Sequence, residues 1–145
     1  MKDIRSFINK GSKNQAAAFM IALSIISVNY IMGAEVNSWE CGKFENASIV
    51  GDGGIYLGKL GPGWLTDSIF NSSSSYSSTW SSESIFNSNS EFGNSYSNTS
   101  VFNELASNPP AIISNSGFVG YLSIGPAWDN ERFSPYDIKY TCGWD

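Results

Sequence analysis

The most regular hydrophobic pattern along the chain is a short phrase that returns every 16 residues in a region rich in Ser and Asn. In each copy a serine is followed by a branched residue, a phenylalanine and an asparagine. The copies occupy residues 68–71, 84–87 and 100–103. A fixed period predicts a repeat architecture. Because branched and aromatic residues alternate with Ser and Asn, we expect short extended segments and turns rather than helices or a disordered linker.

Apolar runs on either side of these repeats predict two β-hairpins. The first joins residues 48–50 to residues 55–60 through a Gly-Asp-Gly-Gly sequence, and the second joins residues 111–113 to residues 118–123 through Ser-Asn-Ser-Gly. Glycine and Asx residues tolerate positive φ, so such sequences favour tight turns between strands. Two consecutive prolines before the second hairpin should end the last repeat.

The end of the chain alternates between large apolar and charged side chains. Tyr136, Ile138 and Tyr140 are separated by Asp137 and Lys139. This two-residue alternation predicts a final strand with one face in solvent. Such a strand would return the end of the chain toward its beginning.

The N-terminal segment has the layout of a secretory signal peptide. Four basic residues lie within residues 1–15, an apolar run covers residues 16–28, and small residues lead up to Ala34. We therefore predict a signal peptide over residues 1–34 and export of the remainder. The alternative is a retained membrane anchor, because residues 16–34 are nearly long enough to span a bilayer.

Two cysteines flank the exported part of the chain. Cys41 lies near its start and Cys142 near its end. In an oxidising compartment, two cysteines favour one disulfide bond; the alternative is two free thiols. The fold class predicted is therefore mainly β or irregular, with two β-hairpins flanking three short repeats. We place these repeats at residues 67–82, 83–98 and 99–114, inside one disulfide-closed secreted domain over residues 35–145.

At these motifs the sequence resembles a family of small, exported, uncharacterised bacterial proteins. Their 16-residue repeats have the form D-S-I-x-N-P-Y-G-x-Y-G-S-x-Y-S, preceded by a D-G-x-Y-L-G-x-L strand and followed by N-P-P and a second hairpin. The resemblance covers about residues 49–123. In this chain residues 72–74 and 88–90 replace the Pro-Tyr-Gly of each unit with Ser-Ser-Ser and Ser-Asn-Ser. The resemblance implies architecture and export, and no activity, cofactor or site residue.

The charge of the exported part disfavours polyanionic partners. Twelve acidic and four basic residues give residues 35–145 a net charge of −8. A surface of that sign repels phosphate backbones, so we expect no nucleic-acid partner. After signal cleavage we also expect no stable membrane span.

The residue types in the chain argue against catalytic activity and metal binding. The chain has no histidine, which removes the commonest general base and zinc ligand. We expect no enzyme activity, no cofactor and no metal, although a carboxylate pair of the glycosidase type stays open. Calcium is the alternative metal, with Asp52, Asp67 and Glu83 as possible oxygen ligands. We interpret Asp52 as a turn former and the other two as helix-capping or solvated residues.

Aromatic residues in and beside the repeats are the candidate binding groups. Facing solvent, they could stack on sugars or on another protein. The alternative, which we favour from sequence, is that they form the core of a short chain. We therefore expect a non-catalytic exported protein that is either a binding protein or a surface-associated structural protein. Its possible partner is a glycan or a cell-envelope component. The alternative is a secreted carbohydrate-binding or carbohydrate-active module. The candidate aromatics are Trp64, Tyr76, Trp80, Phe92, Tyr96 and Trp128.

Overall fold

The computed structural model describes residues 34–126 and 128–145, and its strands form one five-stranded mixed sheet. The spatial order is β2-β1-β3-β4-β5, and all neighbours are antiparallel except β4 and β5. The mainly β fold class is therefore confirmed. The predicted signal peptide lies, apart from Ala34, outside the described residues. The strands are β1 (Ser48–Val50), β2 (Tyr56–Lys59), β3 (Ala111–Ser114), β4 (Gly117–Leu122) and β5 (Arg132–Phe133).

The two apolar regions that flank the repeats lie side by side in this sheet. β1 pairs with β2 and β3 pairs with β4, and the two pairs are joined because β1 also pairs with β3. At that junction Ile49 lies opposite Ile112, and both side chains are fully buried. The turn after β1 contains Gly53 at φ 70° and Gly54 at φ 78°, backbone angles that favour glycine.

Residues 60–110 connect β2 to β3 through a succession of hydrogen-bonded turns. In each Ser-Ile/Val-Phe-Asn phrase the serine is fully buried, and its hydroxyl accepts the N–H of the phenylalanine two residues later. The branched residue of each phrase is also fully buried. The first of these phrases continues the edge of the sheet beside β2, because Ile69 donates its N–H to the Lys59 carbonyl at 3.0 Å.

The asparagine of each phrase holds its turn in the same way. Its side-chain N–H donates to a carbonyl six residues earlier, and its side-chain oxygen accepts an N–H two residues later. The donor distances from Asn71, Asn87 and Asn103 to the carbonyls of Leu65, Ser81 and Ser97 are 2.8, 3.0 and 2.9 Å. The acceptor distances to the N–H groups of Ser73, Asn89 and Leu105 are 2.9, 3.0 and 3.0 Å. The three phrases therefore have equivalent local hydrogen bonding.

The chain ends in a helix, so the strand predicted at residues 136–140 is wrong. The four-residue helix α1 (Cys41–Phe44) precedes the sheet, and α2 (Pro135–Cys142) follows it. Ser134 is the N-cap of α2, Pro135 occupies its first turn, and Gly143 ends it in the left-handed conformation at φ 65°. These start and stop signals outweigh the two-residue alternation. Ile138 is buried and Cys142 packs against the core four residues later, on the same helix face.

A disulfide bond joins the two helices and confirms the predicted pairing. Cys41 and Cys142 are bonded across a sequence separation of 101 residues. Phe44 of α1 packs edge-on against Phe133 of β5, with ring centroids 5.1 Å apart. The bond and this contact therefore hold α1 against the C-terminal part of the chain. No helix among residues 34–126 and 128–145 is long and apolar enough to cross a membrane.

Candidate ligand-binding surfaces

The candidate aromatic residues divide into two groups by burial. Phe92 is buried, and Tyr76 is half-buried with its ring 5.3 Å from that of Tyr56. The expectation that these aromatics form the core is right for Phe92. It is wrong for the four exposed members of the set, Trp64, Trp80, Tyr96 and Trp128.

Three of the exposed aromatics occupy equivalent positions in successive turns. Trp64, Trp80 and Tyr96 follow one another at steps of 16 residues, and their exposed fractions are 76%, 86% and 91%. Each lies immediately before a residue whose carbonyl accepts the asparagine side chain described above. We call these three residues the aromatic row. The 16-residue step back from Trp80 to Trp64 is a signal in the sequence that could have identified the row.

Hydrogen bonds also join successive turns to one another. The Ser84 hydroxyl donates to the Tyr76 carbonyl at 2.9 Å, and the Val101 N–H donates to the Phe92 carbonyl at 3.0 Å. The turns therefore share the same internal hydrogen bonds and are also joined to one another.

The backbone beneath the aromatic row is held by local side-chain hydrogen bonds. The Trp80 N–H donates to the Ser78 hydroxyl at 3.2 Å, and the Tyr96 N–H donates to the Asn94 side-chain oxygen at 2.8 Å. Thr79 and Ser95, the residues before these aromatics, are exposed. The row therefore combines exposed rings on a fixed backbone with neighbouring hydroxyl groups.

Two of the three carboxylates considered as calcium ligands have other partners. The Asp67 carboxylate accepts the Tyr56 hydroxyl at 2.8 Å and lies 3.5 Å from the Lys59 ammonium. The Asp52 carboxylate accepts the Asn108 side-chain N–H at 2.8 Å. Glu83 is exposed. Within the described part of the chain, no three His, Cys, Asp or Glu side chains are close enough together to hold a metal ion.

The Tyr56–Asp67 contact changes the acidity of both groups. Burial and the hydrogen bond to Asp67 raise the pKa of Tyr56 above its usual range. The hydrogen bond from Tyr56, with the nearby Lys59 ammonium, lowers the pKa of Asp67 although partial burial opposes this. The pair therefore stays a neutral phenol and a carboxylate at neutral pH, which suits a structural contact between β2 and the first turn.

A second surface feature is a groove of about 400 Å³ between α2 and the Ser/Asn-rich turns. Its apolar walls are Ile69, Phe70 and Phe86 from the turns and Tyr136 from the helix. The hydroxyl-bearing Ser72 and Ser77 and the basic Lys139 complete the lining. Sequence reasoning missed this groove, because it depends on α2 lying beside turns whose lining residues are 50 or more positions earlier in the chain.

The comparisons with known proteins give no relative from which a function could be transferred. The chain matches no protein-family model, and neither a curated protein nor a solved structure matches it. The resemblance to the family of exported repeat proteins therefore rests on its motifs alone.

Proposed function

We propose that this chain is a non-catalytic exported protein that binds a neutral polysaccharide along the aromatic row. The observation that supports the proposal most is the exposure of Trp64, Trp80 and Tyr96 at equivalent positions of successive turns. Large apolar rings left in water lose the free energy that burial would contribute, so a regular exposed set favours a binding role over chance exposure.

The chemistry of the row suits a sugar chain better than other polymers. Aromatic faces offer apolar contact to the C–H faces of sugar rings, while hydroxyl and amide groups form hydrogen bonds at low conformational cost. Exposed Thr79 and Ser95 supply such hydroxyls beside the rings. A net charge of −8 over residues 35–145 favours a neutral ligand over a polyanion.

The disulfide bond supports export, because such bonds persist in oxidising compartments. Its pairing closes residues 41–142 into one loop, as in many small secreted domains. A fixed scaffold of this kind also lowers the conformational entropy lost on binding an extended ligand.

The test is binding of the purified exported domain to insoluble neutral polysaccharides such as cellulose, chitin and mannan. We expect one of them to retain the protein from solution. The variants Trp64→Ala, Trp80→Ala and Tyr96→Ala should each weaken retention several-fold, since truncating a ring that stacks on a ligand commonly costs about 1 kcal/mol or more. The double variant Trp64→Ala/Tyr96→Ala should abolish retention.

The matched control is Trp39→Ala. Trp39 is 79% exposed but precedes helix α1, outside the Ser/Asn-rich turns. It should leave retention unchanged. If all neutral polysaccharides fail to retain the wild-type protein, or if Trp39→Ala weakens retention as much as Trp80→Ala does, the aromatic row is not a polysaccharide site. A surface-associated structural role would then be the better account.

A further inference from the structure

The groove beside α2 differs in chemistry from the aromatic row. Of its apolar wall residues, Ile69 is buried, Phe70 and Phe86 are half-buried, and Tyr136 is 55% exposed. The Phe70 ring lies 6.4 Å from that of the buried Trp144, and Tyr136 lies 5.9 Å from Phe102, which is in turn 6.0 Å from Phe86. A volume of about 400 Å³ falls in the range of small-molecule sites rather than of polymer clefts.

Lys139 gives this apolar groove one positive charge. Lys43, Lys59 and Arg132 each form an ion pair with a carboxylate, at 2.6, 3.5 and 2.9 Å respectively. Lys139 is the remaining basic residue of the described region, and no carboxylate lies within ion-pair distance of it there. Its ammonium lies 5.7 Å from the centroid of the Phe70 ring, at the groove.

Among the described residues, an ammonium with no carboxylate partner is a specific feature on a protein of this charge. Residues 35–145 carry twelve acids, so a lone cation could readily have been paired with one of them. The Lys139 ammonium instead lies near an aromatic ring and beside an apolar cavity. This position suits an anion whose other atoms are apolar. Ser72 adds an exposed hydroxyl at the same groove.

From this charge and shape complementarity we infer that the groove binds a small aromatic carboxylate. The ring would lie between Phe70, Phe86 and Tyr136, and the carboxylate would accept hydrogen bonds from the Lys139 ammonium. This site is separate from the aromatic row, and its existence does not depend on polysaccharide binding.

The experiment uses two probes of the same shape, 2-naphthoate and the uncharged 2-naphthylmethanol, titrated into the protein by calorimetry and by chemical-shift mapping. We expect 2-naphthoate to bind saturably and about tenfold more tightly than the alcohol, because a hydrogen bond to a charged group contributes about 1.5 kcal/mol or more. Lys139→Met keeps the apolar stem and removes the charge. It should weaken 2-naphthoate binding about tenfold and leave the alcohol unchanged, and Lys139→Arg should retain the preference.

Two further variants locate the site. Ser72→Trp should fill the groove and block both probes, whereas Ser73→Trp, at an exposed neighbour outside the lining, should block neither. A denaturation curve for each variant establishes that it is folded. The inference is overturned if 2-naphthoate does not bind saturably at millimolar concentration. It is also overturned if both probes bind equally, or if Ser72→Trp and Ser73→Trp have the same effect.

Discussion

The Tyr56 hydroxyl donates a 2.8 Å hydrogen bond to the Asp67 carboxylate, and this contact joins strand β2 to the first of the Ser/Asn-rich turns. The Lys59 ammonium lies 3.5 Å from the same carboxylate, and the Lys59 N–H donates to the Asp67 carbonyl at 2.9 Å. Backbone and side-chain contacts therefore reinforce each other where the sheet passes into the turns.

This contact should make stability depend on pH in the acid range. The hydrogen bond from Tyr56 and the Lys59 ammonium lower the pKa of Asp67 in the folded state. The contribution is therefore fully present above the unfolded-state pKa of about 3.9 and is lost as pH falls through the lower folded-state pKa. Because Asp67 is partly exposed, we expect Asp67→Asn to cost about 1 kcal/mol at pH 7 and progressively less below pH 4 or so.

Urea unfolding of wild type and Asp67→Asn at a series of pH values measures that difference. Tyr56→Phe, combined with Asp67→Asn in a double-mutant cycle, isolates the hydrogen bond. A difference between wild type and Asp67→Asn that stays constant from neutral to strongly acid pH would contradict the assignment.

Removing the disulfide bond should destabilise the fold strongly. The bond closes a loop with a sequence separation of 101 residues, and the chain-entropy model gives about 4–5 kcal/mol for a loop of that size. We expect the double variant Cys41→Ser/Cys142→Ser to lose stability of this order in urea unfolding. Reduced wild type should behave in the same way. A loss below about 1 kcal/mol would mean that the contacts of α1 and α2 fix the chain ends without the bond.

The buried Asn87 of the second turn should contribute more to the stability of the fold than the exposed Asn89 nearby. Asn87 is 7% exposed, donates to the Ser81 carbonyl and accepts the Asn89 N–H. Asn87→Ala removes these two part-buried hydrogen bonds, which should cost about 1–2 kcal/mol in total. Asn89→Ala removes only an exposed side chain and should change the free energy of unfolding by less than about 0.5 kcal/mol. Equal effects of the two substitutions in thermal or urea unfolding would contradict the role given to the asparagine.

Gly93 should not tolerate even one added methyl group. A Cβ at this position would collide with the backbone carbonyls of Asn87 and Ile85, which cannot move without breaking the turn. We expect Gly93→Ala to lose about 2–3 kcal/mol of stability.

Gly42 is the matched control for that substitution. It lies in helix α1 with nothing within 4 Å of an added Cβ. Gly42→Ala should be neutral or stabilising by up to about 1 kcal/mol, because alanine is the better helix former. Unfolding curves of the two variants, measured side by side, check the contrast; a Gly93→Ala protein as stable as wild type would show that the turn adapts.

Local sequence determined the features of this protein that depend on neighbouring residues. The Gly-Asp-Gly-Gly and Ser-Asn-Ser-Gly sequences predicted the turns between β1 and β2 and between β3 and β4, because backbone angles at a tight turn depend on the residues that occupy it. The cysteine pairing followed from there being two cysteines in the chain. The signals that start and end α2 were also present, in Ser134-Pro135 and Gly143, but the alternation of Tyr136 to Tyr140 obscured them.

Tertiary structure decided which surfaces the chain presents. Phe92 is 3% exposed and Tyr96 is 91% exposed, although both are aromatic residues of the same turn region. The Phe92 ring lies beside Gly51, which comes from a distant part of the chain, whereas the Tyr96 ring faces solvent. The strand pairing of Ile49 with Ile112 and the hydrogen bond between Asp52 and Asn108 likewise join segments more than 50 residues apart. A local pattern identifies apolar and turn-forming residues, but only the assembled contacts determine which apolar side chains are left facing water.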